Sequence, residues 1–240
     1  TTKYGVDIYG KPKLADLLKK LCKVDGIKWI RFLYAYPETI DDKLIKVVKK
    51  NEKICKYFDI PIQHISDTVL KRMNRKSNAE SIELLIKKLR EKIPEVIIRT
   101  TVMVGFPGET QEDFEKLCSF VENAKFDKLG AFSYSKEEGT PAATLKEQVH
   151  PMTKKARYNK IMEIQQKVSE ENLNKYIGKE LEVLVEGKTK DGKYYVCRSY
   201  MDVPDIDGVI YLKTSKELQS GDFTKCVIKS SVNEYDLLAN

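Results

Sequence analysis

Apolar and polar positions divide the chain into two regimes. Between residues 12 and 176, apolar runs of strand type alternate with stretches of helical period; beyond 177 the runs are short, closely spaced and all of strand type. The clearest strand covers residues 96–104. Ile98, Thr100, Val102 and Val104 share one face, and Arg99, Thr101, Met103 and Gly105 share the other. An apolar face backed by Arg and Thr suits a barrel strand with helices outside and a ligand inside. The alternative is a parallel strand with an ordinary βα loop. Residues 55–62 repeat the arrangement, with Phe58, Ile60 and Ile62 outside and Tyr57, Asp59, Pro61 and Gln63 inside.

Further strands are predicted at 27–34 and 129–135. Helices are predicted at 12–24, opening at Pro12, and at 40–50, 67–74, 78–92 and 110–124. Asn78 opens the fourth of these, and Thr110, with Asp113 three residues on, caps the fifth. This order argues for parallel strands with crossover helices. Residues 136–152 form a Gly/Pro-containing connection. A long helix follows at 153–176, with Tyr158, Ile161, Ile164, Val168 and Leu173 in one stripe. Five short strands are then predicted at 181–187, 194–199, 209–213, 223–231 and 234–238, with Asp191-Gly192 as a hairpin signal. They suggest a small barrel of the OB type.

The expected fold class is therefore α/β. Residues 1–152 form part of a (βα) barrel, 153–176 a linker helix and 177–240 a small all-β barrel. Four parallel strands do not close a barrel, and the chain opens on a helix. We therefore expect a fragment whose first barrel units are missing.

Composition narrows the chemistry. At 41% hydrophobic and 33% charged, the 240 residues suit a folded globular chain. No run approaches a membrane span and no signal-peptide pattern opens the chain, so a cytoplasmic protein is expected, with no membrane partner. Cys22, Cys55, Cys118, Cys197 and Cys226 are too dispersed for any metal or redox motif. They read as reduced thiols, and no metal site is expected from this chain's own residues. The formal net charge is +7, with 34 Lys+Arg against 25 Asp+Glu in residues 1–176 and 9 against 11 in residues 177–240. A lysine-rich solvated surface is the simplest account of the first region.

Ligands in α/β folds gather at the C-terminal ends of strands. That points to residues 34–37, 59–64, 105–109 and 132–135. Gln63 is suited to a ribose or a carboxylate. Arg99 is suited either to a ligand carboxylate or to a buried pair with Asp59. His64 reads as a capping or core histidine rather than a ligand, and His150, before Pro151, as inert. No Ser-His-Asp set, G-x-S-x-G, P-loop or G-x-G-x-x-G occurs. An enzyme built on this chain leaves the difficult step to a cofactor. Near the end, Asp202, Asp205 and Asp207 fall in one loop. With the negative tail, they suit a basic protein partner better than a phosphate backbone, the alternative being a solvated acidic loop.

Taken together, residues 1–5, 29–37, 57–66, 70–75, 99–110 and 132–143 resemble the catalytic barrel of the radical S-adenosylmethionine methylthiotransferases, and residues 177–240 resemble that family's TRAM module. Residues 4–7, 57–64 and 200–208 are closest to the type that methylthiolates an aspartate of ribosomal small-subunit protein twelve. The related type that modifies a tRNA adenosine carries a more basic tail. The resemblance implies S-adenosylmethionine and two [4Fe-4S] clusters. One cluster, held by C-x-x-x-C-x-x-C, cleaves the cofactor, and a deoxyadenosyl radical takes hydrogen from the substrate's β-carbon. Both cysteine sets are absent from this chain, so it is expected to be inactive as supplied. Candidate cofactor-binding residues are Gln63, Arg99, Thr101 and Gly105, and candidate partner-binding residues are Asp202, Asp205 and Asp207. The alternatives are a tRNA methylthiotransferase of the same fold and a non-catalytic ribosome- or RNA-binding module.

Overall fold

The computed structural model describes residues 1–240. They divide into two compact units, Thr1–Gln165 and Gln166–Asn240.

The first unit is built on a parallel sheet in the order β1 (Tyr57–Gln63), β2 (Ile97–Val104), β3 (Lys128–Ser133). The helices are α1 (Val6–Tyr9), α2 (Leu14–Leu21), α3 (Asp42–Lys50), α4 (Asp67–Arg72), α5 (Ala79–Lys92) and α6 (Gln111–Ala124), followed by α7 (Pro151–Asn174). From β1 onward the order of strands and crossover helices is the one the hydrophobic pattern predicts. The outer faces are fully buried: Phe58, Ile60, Ile62, Ile98, Val102 and Val104 join Leu89, Leu117 and Val121 of α5 and α6 in one core. Each such side chain stabilises the fold by about 1.5–3 kcal/mol relative to exposure. The inner face of β2 is only half-buried along Arg99, Thr101 and Met103.

Both central crossover helices start on capping boxes. Asn78 accepts from Ser81 N, whose hydroxyl accepts from Asn78 N; Thr110 and Asp113 do the same for α6.

The strand expected at 27–34 does not form. That segment runs parallel to the start of β1 but makes a single bridge, Ile30 to Ile54. The ladder fails at the next rung because the Tyr57 N–H donates to Cys55 O, 2.7 Å away in its own chain. Backbone hydrogen bonding with β1 resumes where Ala35 N donates to Asp59 O.

Pro61 lies inside β1, where it supplies no N–H. The β1–β2 register shifts between Ile60 and Gln63, and the buried Thr100 hydroxyl repairs the gap by donating to Ile60 O at 2.8 Å.

The second unit is a closed barrel in the order β4 (Glu180–Lys188), β5 (Tyr195–Arg198), β6 (Ile210–Leu212), β8 (Leu237–Ala239), β7 (Phe223–Ser231). All five expected strands are present, the last displaced toward the C-terminus. Val183, Val185, Cys197, Ile210, Leu212, Cys226, Ile228 and Leu237 are buried. Closure leaves no free edge. α7 belongs to both units. Ile161 joins the first core and Gln165 Nε2 donates to Phe126 O, whereas Ser169 Oγ donates to Glu234 O in the second unit. No helix is long and apolar enough to cross a membrane.

Candidate cofactor cleft

The inner face of the sheet is stacked in three levels. The pairing register puts Asp59 beside Arg99 at the lowest level, Thr101 beside Gly130 at the next, and Met103 beside Phe132 at the top. Small residues at the middle level give depth. A cleft of about 880 Å³ opens there, lined by Gln63, Arg99, Thr101, Met103 and Phe132, by Tyr34 and Tyr36, and by Arg72 and Arg75 from the end of α4.

The charged floor is pre-positioned. Asp59 Oδ1 lies 2.9 Å from Arg99 Nη1, and its other oxygen accepts from Tyr34 N at 3.0 Å. The pair expected as one alternative for Arg99 is therefore present, and Arg99 also reaches the cleft wall. Tyr34 and Gln63 both take left-handed φ, 58° and 69°. Non-glycine residues there cost about 1–3 kcal/mol, and such strain gathers at ligand sites. Arg75 donates to Pro61 O at 2.7 Å and lies over the Tyr36 ring, and Arg72 pairs with Glu147 at 2.7 Å.

Behind the cleft, the turn from β2 into α6 is closed by one carboxylate. Glu109 Oε2 accepts from the N–H groups of Gly105 and Phe106. Its Oε1 lies 3.2 Å from Arg157 Nη1 and 3.9 Å from His64 Nε2, and all three side chains are buried. Glycine is required twice. Gly105 and Gly108 have φ of 72° and 82°, and a Cβ would sit 2.4 Å from Lys154 Cγ and 2.0 Å from Arg72 Nη1 respectively.

His64 Nδ1 accepts from Ser66 N at 3.0 Å. His64 is fully buried and does not line the cleft, which fits the core alternative; the start of α4 carries no side-chain cap. Of the four cofactor candidates, Gln63, Arg99 and Thr101 line the cleft, whereas Gly105 lies outside its wall and shapes the turn behind it. Arg72 and Arg75 were missed as site residues. Their segment was visible only as part of a motif at 70–75. Glu109 was missed too, although an acid four residues after a glycine at a strand end is a turn-closing signal.

In the barrel unit, the acidic loop is mostly internal. Asp202 is buried, and its Oδ2 accepts from Ser199 N and Oγ at 3.0 and 2.9 Å. Asp207 Oδ2 accepts from Val203 N at 2.9 Å. Asp205 is exposed, with φ of 61°.

Residues 4–121 match the Radical SAM superfamily and residues 177–240 match the TRAM domain. The chain carries a radical SAM domain followed by a TRAM domain. It is 59% identical over 238 residues to the ribosomal protein uS12 methylthiotransferase RimO of Alkaliphilus oremlandii, covering 99% of this chain and 54% of the relative. It is 53% identical over 239 residues to the protein of that name from a Thermoanaerobacter species, with the same coverage. The chain thus spans about half the length of the curated relatives it matches. Among solved structures, it resembles the radical SAM enzyme coproporphyrinogen III oxidase (HemN) of Escherichia coli, with a TM-score of 0.53 at 19% identity over 65% of this chain and 36% of that one. This likeness supports the fold alone.

A radical SAM domain implies S-adenosylmethionine and a [4Fe-4S] cluster. The cleft suits the first. Its aromatic and thioether walls match an adenine and a sulfonium-bearing chain, and its arginines match a carboxylate. The cysteines do not suit the second. Cys22, Cys55, Cys118, Cys197 and Cys226 stand singly along the chain, with no C-x-x-x-C-x-x-C spacing. No three His, Cys, Asp or Glu side chains converge to hold a metal ion.

Proposed function

We propose that residues 1–240 supply the cofactor cleft and the TRAM domain of a methylthiotransferase acting on the β-carbon of an aspartate in ribosomal protein uS12. The observation that carries this reading is similarity to relatives of that name over 99% of the chain, at up to 59% identity. The cleft agrees with it. Its wall holds guanidinium, amide, hydroxyl, thioether and aromatic groups but no carboxylate or imidazole, so acid–base chemistry is poorly supplied and a cofactor must act. S-adenosylmethionine, when held in this cleft, would supply the radical chemistry that these side chains lack.

This chain's residues have narrower tasks. Gln63, Arg99 and Thr101 bind and orient the cofactor at the sheet's inner face. Glu109 holds the turn behind them. No residue here ligates either cluster, the second included, and on this reading the chain does not turn over alone. The TRAM domain presents Asp205 to uS12, while Asp202 and Asp207 shape the loop. With 9 basic against 11 acidic residues in 177–240, a basic protein suits this domain better than tRNA.

The test is titration of the 240-residue chain with purified uS12 and, separately, with tRNA. We expect saturable binding of uS12, weakened by Asp205→Asn. No saturable binding of uS12, or uS12 binding that Asp205→Asn leaves unchanged, contradicts the reading.

A further inference from the structure

The chain's excess charge has an address. Residues 11–56 hold 13 basic and 6 acidic residues; the remaining residues hold 30 of each. The whole net charge of +7 therefore lies in α2, α3 and the segments flanking them.

This charge surrounds two adjoining clefts. One, of about 850 Å³, is walled by Tyr4 and Tyr9 and edged by Lys13, Lys19, Lys20 and Lys23. The other, of about 510 Å³, is edged by Lys43 and Lys46. Lys19, Lys50 and Asn51 line both. The acids that line the clefts are already engaged: Asp16 pairs with Lys13 and Lys43, and Asp42 with Lys88 and Lys92. Lys19, Lys20, Lys23, Lys46, Lys49 and Lys50 are exposed and enter no ion pair. Helix C-termini favour lysine by about 0.3–1 kcal/mol each, which accounts for Lys19, Lys20, Lys49 and Lys50. It does not account for Lys46, in mid-helix, nor for Lys23, and like charges a turn apart repel.

We propose that this lysine face of α2 and α3 docks the phosphate backbone of RNA, with Tyr4 and Tyr9 placed to stack on an unpaired base. Concavity favours RNA over a membrane, because lysine-rimmed clefts take a phosphate ridge where a bilayer offers a plane. Tyr4 is 47% and Tyr9 56% exposed, with Lys13 Nζ over one face of the Tyr9 ring at 5.8 Å. This inference stands apart from the assignment of uS12 as substrate, and either can fail alone.

The experiment is fluorescence anisotropy of the 240-residue chain with a fluorescein-labelled RNA hairpin, from about 50 to 200 mM KCl. Lys19→Glu/Lys46→Glu/Lys50→Glu is compared with Lys190→Glu/Lys216→Glu/Lys229→Glu, which makes the same charge change in the second unit. The first variant is expected to weaken binding about tenfold or more and to flatten the log K against log salt slope by about 3. The second leaves both nearly unchanged. Should circular dichroism show the first misfolded, Lys19→Gln/Lys46→Gln/Lys50→Gln replaces it, with the same direction expected. Equal losses in the two variants, no RNA binding by the parent chain, or tighter binding to phosphatidylserine-containing vesicles than to RNA would overturn the proposal.

Discussion

Two turns of this molecule are built on carboxylates, and they serve different ends. In the first unit, Glu109 gathers the N–H groups of Gly105 and Phe106 and is held by Arg157 beside His64. In the second, Asp202 gathers the N–H and hydroxyl of Ser199, and Asp207 the N–H of Val203. Both loops read from the sequence as places where something binds. In both, the acid first satisfies backbone that would otherwise be buried unpaired. The Glu109 turn stands behind a cleft edged by three arginines; in the Asp202 turn the acid left fully exposed is Asp205.

The largest effect expected from this contrast is at Glu109. Glu109→Ala leaves Arg157 buried without its carboxylate, keeping only the bond to the backbone oxygen of residue 109, and should cost about 3–5 kcal/mol. Trp29, the only tryptophan, reports the first unit, so the loss appears in its urea transition. An unchanged midpoint would show that the turn does not depend on the carboxylate. Gly105→Ala comes next, at about 1–3 kcal/mol from positive φ and the approach to Lys154.

In the second unit the contrast is internal. Asp202→Ala removes the buried acceptor of Ser199 N and Oγ and should cost about 1–3 kcal/mol. Asp205→Asn should stay within about 0.5 kcal/mol while weakening uS12. Hydrogen exchange of the β5 and β6 amides separates them. Equal effects on stability would put both acids in solvent.

The smallest effect is on pH. Burial tends to raise Asp113, but hydrogen bonds from Ser66 and Thr110 outweigh it and hold the carboxyl below its ordinary 3.8. A depressed folded value means that its contribution is complete above about pH 5 and is lost as pH falls below 3.8. Asp113→Asn should flatten the acid limb of first-unit stability and lower stability at neutral pH. An acid limb identical to the parent's would remove Asp113 from the account.

Much of this architecture could be read from period and caps, because those signals are local. The alternation of residues 57–63 and 97–104 told the outer face from the inner, and Asn78 and Thr110 marked the helix starts. What escaped was tertiary. Residues 27–34 have strand composition, but a local Cys55–Tyr57 hydrogen bond removes the rung they needed. Arg72 and Arg75 reach the cleft from the end of a helix, where periodicity shows only a solvated face. Asp202 looks like its neighbour Asp205 until the barrel buries it.

The most direct test of the cleft assignment uses the five methionines. Met73 and Met103 line the cleft, and Met152, Met162 and Met201 do not. With methyl-¹³C methionine, S-adenosylmethionine should shift the Met73 and Met103 signals saturably and leave the other three in place. No shift at saturating cofactor, or shifts confined to Met152, Met162 or Met201, would contradict the assignment of the sheet's inner face as the cofactor site.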